Sequence, residues 1–311
     1  MLWQECKKLW KRPAVLLAFL GMCFFMTAQI WQNNSPADRE ARKAYLYSNF
    51  HEILENYVES VKGELSERDS GFDLGRVNLA YEALGKERHL RFDTAKSFYA
   101  FISNLNLLKY CVILFLILQC AAVFAGERET GMDALLAVCR KGGRKLFWRK
   151  FIACQLSSFA LWLVMNGLAV GTIWLRLGWS GLEGLVQDFT FNASPFPWNQ
   201  RTYLWVVGLT GLAACQLVSA VAFLIAYVAR SSVQSALAAF GMLFLPVAAY
   251  SFFEVMRFFF PNFLNGDHLW NHYGEWRIGS WYISEWKMAL VQIAVLYLAV
   301  LLWCMRKAKS L

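Results

Sequence analysis

The chain has 311 residues, of which 58% are hydrophobic, 16% aromatic and only 17% charged. That is too apolar for one soluble core, and the apolar residues gather in blocks long enough to cross a hydrocarbon layer of roughly 30 Å. The formal net charge of +9 suits an anionic partner, either nucleic acid or a membrane surface, and its distribution decides between the two.

Residues 1–12, MLWQECKKLWKR, place Leu2, Trp3, Cys6, Leu9 and Trp10 on one helical face with lysines opposite. This predicts an amphipathic helix lying in the inner interface, or a basic flank that orients the span behind it. The first span is 13–31, beginning at Pro13. Basic residues ahead of an apolar run also describe a signal peptide, but the run is long and Gln29-Ile30-Trp31 is a poor cleavage site, so a retained anchor is expected.

The stretch 32–108 is expected to be an extracytoplasmic helical domain. Tyr47, Phe50, Leu54, Tyr57 and Val61 recur in steps of three and four, an apolar stripe on a charged helix, and Thr94–Leu108 reads as helix running into the next span. The second span, 109–125, is short. It must borrow residues before Lys109, whose side chain is expected to snorkel outward.

After a cytoplasmic loop at 126–150 come spans at 151–175, 203–229, 233–253 and 288–305. Gly167 and Gly171 form a GxxxG on the third, suited to close helix packing within or between subunits. The aromatic segment 254–287 is expected to dip into the outer interface as short helices. None of the six apolar runs, the second counted from Tyr110, carries an ionisable carboxylate, amine, guanidinium or imidazole, and their backbone polar groups must be satisfied internally, so they are helices. Gln119, Gln155, Asn166, Gln216 and Gln292 are amides within them, read chiefly as glue between helices. The fold class is therefore all-α: a polytopic membrane protein with six transmembrane helices, an N-terminal interfacial helix and a small helical ectodomain between spans 1 and 2.

Orientation follows from Lys and Arg. With both termini inside, the inner segments hold 15 Lys/Arg against 4 Asp/Glu, whereas 32–108 holds 10 against 12. Short basic loops beside spans account for the charge without nucleic acid, and the expected location is a bacterial cytoplasmic membrane. The eight cysteines lie in spans or inner segments, so no extracellular disulfide framework is predicted.

Little in the chain suggests catalysis. No GxxxxGK[ST] occurs, so ATP hydrolysis by this chain is not expected. His268, His272 and Glu275 have spacing that two zinc ligands could share, but a third ligand and the protease order are missing. A membrane-embedded hydrolase would want His, Glu or Asp within the spans. No cofactor and no metal are expected.

The informative stretch is 126–150, GERETGMDALLAVCRKGGRKLFWRK. Thr130 and Asp133 form a capping signature, Met132, Leu135, Leu136 and Cys139 share one apolar face, and Gly142-Gly143 ends the helix. The helix is amphipathic and its apolar face needs a cover, either lipid or a groove on a soluble protein. The order of elements and the run Glu127-Arg128-Glu129-Thr130-Gly131-Met132-Asp133-Ala134-Leu135-Leu136 resemble the ABC type-2 transporter permeases. In that family E-x-E-x-G-x-x-x-x-L-L follows the second span and forms the helix that docks on the ATPase subunit. The resemblance implies an ATPase-coupling interface at Glu127, Glu129, Gly131, Met132, Leu135 and Leu136, a separate ATP-binding-cassette ATPase subunit, and a second permease chain, identical or related. Val138-Cys139-Arg140-Lys141-Gly142 departs from the Pro and Ser/Thr-Arg that often follow in the family. The function so implied is export of an amphipathic, lipid-like or peptide cargo. The alternative is a membrane-anchored sensor or partner-binding protein that uses the ectodomain without transport.

Overall fold

The computed structural model describes residues 13–33, 96–129, 142–178, 198–249, 259–264, 269–270, 275–278 and 281–310, with 5, 10 and 196 singly. The ectodomain stripe, the helix at 132–139 and the pair His268 and His272 lie outside the described residues. Among the described residues the order is α1 (Pro13–Asn33), α2 (Lys96–Glu129), α3 (Gly142–Leu177), α4 (Gln200–Val228), α5 (Ser232–Ala239), a π-helical turn (Phe240–Phe244) and α6 (Leu245–Ala249). A 3-10 turn (Phe260–Leu264), strands β1 (Glu275–Ile278) and β2 (Trp281–Ser284), and α7 (Glu285–Ser310) complete it. Among the described residues six helical segments are long and apolar enough to cross a membrane, with α5, the π turn and α6 together making the fifth.

Side-chain contacts fix how the helices run. Arg128 at the end of α2 reaches the end of α4, so those two are parallel. The Arg176 guanidinium at the end of α3 lies 4.4 Å from the Trp31 ring at the end of α1, so these are parallel too. Lys150, early in α3, meets Val123, late in α2, so α2 and α3 are antiparallel. The bundle thus has a basic end, carrying Arg128, Arg144 and Arg230, and a hairpin end, carrying β1 and β2. The second and fourth spans are mostly buried, while the first, fifth and sixth expose most of their surface.

Local sequence explains the helix ends. Asn199 Oδ1 accepts from Thr202 N at 2.8 Å to cap α4, and Ser231 Oγ accepts from Gln234 N at 3.2 Å to cap α5. Gly178 ends α3 at φ 70°, donating to Trp174 O at 2.9 Å, a conformation that costs glycine nothing. In the fifth span Leu245 N bonds back five residues to Phe240 O just before Pro246, which has no N–H to give; the π turn absorbs the misfit.

Three features differ from the sequence expectation. Helix α2 is continuous from Lys96 and so borrows the residues before Lys109 as expected, but Lys109 does not snorkel. It is 2% exposed and its ammonium donates to Asn262 Oδ1 at 3.2 Å. The segment after the fifth span goes deeper than an interface. All five residues of the 3-10 turn are buried. The Leu264 carbonyl lies 2.8 Å from where a Cβ on Gly211 would sit, and Gly211 is roughly 16 Å down α4 from its start at 1.5 Å per residue. Non-helical backbone is tolerated at that depth only when protein surrounds it, as here. Finally, the part nearest α7 is a two-stranded antiparallel hairpin, with Glu275 opposite Ser284 and Ile278 opposite Trp281, instead of a short helix.

Candidate functional site

The basic end is where the loop that resembles a coupling helix leaves and rejoins the bundle. The loop leaves from the last turn of α2, which carries Glu127, Arg128 and Glu129. The last carbonyls of any helix lack intrahelical donors. Arg128 supplies them to the neighbouring helix: its guanidinium donates to Tyr227 O at 2.7 Å and also to Ala229 O, which ends α4. The same group lies 5.9 Å from the Tyr227 ring centroid. The return of the loop is tied by Lys150, 2% exposed, whose ammonium donates to Val123 O at 3.1 Å and lies 4.4 Å over the Phe124 ring.

Between these two ties is a continuous set of rings. Phe124, Phe147, Phe223 and Tyr227 pack edge-on or tilted with centroids 5.0–6.1 Å apart, and Trp303 of α7 joins at Tyr227 at 5.6 Å. Edge-to-face pairs of this kind add about 0.5–1.5 kcal/mol each beyond area. That increment counts for more here than in water, because lipid tails solvate an apolar side chain as well as another helix does. Both stems of the 130–141 loop therefore rise from one packed floor that joins α2, α3, α4 and α7.

Of the residues expected at the coupling interface, Glu127 and Glu129 stand on the last turn of α2, and Gly131, Met132, Leu135 and Leu136 lie outside the described residues. Gly167 and Gly171 face away from the bundle: a Cβ at either meets nothing within 4 Å. They make no close contact with the described residues of this chain. The close-packed glycine is Gly211, where a Cβ would come within 2.5 and 2.6 Å of Trp162 ring carbons. The Trp162 indole N–H donates to Gly208 O at 3.2 Å beside it.

Of the five amides, Gln119, Gln155 and Gln216 bond between helices. Gln119 donates to Ser157 Oγ, which also accepts from the Trp10 indole at 2.9 Å. Tyr297 donates to Gln155 Oε1 at 3.4 Å. With the carboxamide of Gln216 turned to give its N–H to Gln155, its oxygen accepts from Ser158 Oγ and Phe159 N, each at 3.2 Å. Asn166 instead bonds back to Trp162 O at 2.9 Å. Trp10, which donates to the Ser157 hydroxyl, packs against the bundle. Its ring is 5.1 Å from Phe19 and 5.4 Å from Phe115.

Sequence reasoning singled out neither Arg128 nor Lys150. Arg128 carried a usable signal, a guanidinium in the last turn of a helix. Lys150 carried none, because a lysine beside a span reads as a solvated topogenic charge. Compared with family models, curated proteins and solved structures, the chain matches none.

Proposed function

We propose that this chain is the membrane-spanning permease subunit of an ATP-driven ABC exporter, with its basic end and both termini in the cytoplasm of a bacterial cell. A separate ATP-binding-cassette subunit docks on 126–150 and hydrolyses the ATP, and a second permease chain completes the path. An amphipathic, lipid-like or peptide cargo suits spans lined with amides. The observation that carries the reading is that the ERETG run leaves α2 through Arg128, which grips the end of α4 while Lys150 grips α2 from the returning chain. A push on the loop is thus delivered to the two most buried spans at once. Docking energy at 130–141 needs such a stiff path, because a loop on floppy stems would absorb it.

The test is recovery of the ATPase subunit with the affinity-tagged full chain. Leu135→Asp places a charge in the apolar contact, where desolvation costs several kcal/mol, and is expected to abolish recovery while membrane insertion survives. Ala134→Asp, one position round the helix, is expected to leave recovery near wild type. Full recovery with Leu135→Asp overturns the coupling assignment and leaves a helix that rests on lipid.

A further inference from the structure

The sixth span, α7, carries an amide that the bundle leaves unused. Its inner face is built from Ala289, Ile293, Val300 and Cys304, all buried, and Tyr297 bonds to Gln155 on the same side. Away from that face Met288, Gln292, Val295, Ala299 and Leu302 follow in steps of four, three, four and three, which keeps them in one line along the helix. Met288 and Gln292 are half-buried and the other three are exposed. Gln119, Gln155 and Gln216 bond between helices and Asn166 bonds to its own, whereas Gln292 has no hydrogen-bond partner among the described residues. It stands seven residues past Glu285, the first residue of α7, which is roughly 10 Å into the span at 1.5 Å per residue.

A lipid tail neither donates nor accepts, so a carboxamide turned toward it carries a cost that a protein partner removes. The chemistry of the line says which partner. A carboxamide holds both N–H donors and an acceptor oxygen, so it is complementary to itself. Two copies inserted in the same direction meet about an axis normal to the membrane, which sets every residue of the line at the same depth as its own copy. Each Gln292 then gives an N–H to the oxygen of the other. A repeat of 3.5 residues is that of a left-handed helix pair, and the small side chain of Ala299 lets the two backbones approach. Val291 and Leu298 are exposed beside the line and suit lipid as they stand. We propose that the line from Met288 to Leu302 is a symmetric interface between two copies of this chain, pinned by a pair of Gln292 side chains.

The interface goes beyond the exporter reading, since it needs neither an ATPase nor an orientation. Oxidative cross-linking of the full chain in native membranes maps it. Val295→Cys and Leu302→Cys are each expected to give a disulfide-linked dimer that the wild type does not give. Leu290→Cys, also exposed but about 140° round the helix from Val295, is expected to give none. Förster transfer between labelled full chains in proteoliposomes, diluted stepwise with lipid, measures the strength. Gln292→Leu is expected to weaken dimerisation about tenfold, the size of a hydrogen-bonded pair between membrane helices, and Leu290→Ala to leave it unchanged. Gln292→Leu is also expected to keep the thermal midpoint of the detergent-solubilised monomer. A lower midpoint means that the amide is bonded within its own chain and overturns the proposal. So does cross-linking as efficient at Leu290→Cys as at Val295→Cys, or association that Gln292→Leu leaves intact. A chain that is monomeric at every dilution overturns it as well, yet leaves standing an exporter built with a related second permease, which recovery of the ATPase subunit tests separately.

Discussion

Replacing Arg128 with Gln shortens the side chain and takes away the charge and the fork. Two bonds are lost, to Tyr227 O and to the carbonyl of Ala229. Hydrogen bonds to charged groups contribute roughly 1.5–3 kcal/mol each when well shielded. Arg128 is only partly buried, so water replaces much of the loss, and the cation–π contact at 5.9 Å sits at the edge of its range. A combined cost of about 2 kcal/mol is the working figure, localised at the end of α4. Hydrogen exchange reads it directly: 2 kcal/mol is a factor of about 30 in local opening, so amides of the last turn of α4 are expected to exchange about 30-fold faster. Amides of 151–161, in the middle of α3, are expected to keep their protection. Arg128→Lys, one ammonium against two carbonyls, is expected to fall between. Unchanged exchange at 226–230 in Arg128→Gln refutes the clamp and with it the stiff path from the loop to the fourth span.

Gly211→Ala is expected to lower the thermal midpoint, since its methyl meets Trp162 and the backbone of Leu264, and overpacking of this kind costs about 1–3 kcal/mol. Gly167→Ala, opening onto free space, is expected to leave the midpoint of the detergent-solubilised monomer unchanged. Asn262→Leu removes an acceptor from the buried Lys109 and is expected to cost about 1–3 kcal/mol, read as a lower thermal midpoint of the same preparation. A membrane-impermeant thiol reagent applied to intact cells is expected to label a cysteine placed at Ser66 or Asn192 and to spare Cys111, Cys154 and Cys215, all buried. Labelling of Cys6 or Cys139 from outside reverses the proposed orientation.

The six spans were legible because a membrane helix writes itself as an unbroken apolar run, and that signal needs no knowledge of neighbours. What could not be read was which polar residues leave water. Lys109 and Lys150 sit at the margins of their apolar runs, where a lysine is normally solvated. Their burial depends on Asn262, from a segment 153 residues away in the chain, and on a backbone carbonyl of another helix. The re-entrant turn was illegible for the same reason. Phe258-Phe259-Phe260-Pro261 announces burial, but only Gly211 on α4 makes room for it. The hairpin was hidden by aromatic residues that suit an interfacial helix and a strand alike. At the 126–150 loop the residue types were read from a resemblance, and the grip of Arg128 on α4 emerged only from geometry.

The second and fourth spans are held at two levels by different means, and this bears on what can move. At the basic end a guanidinium spans two helix termini, while deeper in the bundle the 3-10 turn wedges against α4 and is held to α2 through Asn262 and Lys109. Spans tied at two levels by charge-assisted bonds move together. The first, fifth and sixth spans expose most of their surface, and apolar contact with lipid costs them nothing relative to contact with protein. The fifth also carries the π turn ahead of Pro246, where the helical ladder is already interrupted and bending is cheapest. If the loop at 130–141 is driven by a partner, the pair α2 and α4 responds as one body, and relative motion falls to the outer spans, with Phe240–Phe244 as the place where the fifth bends.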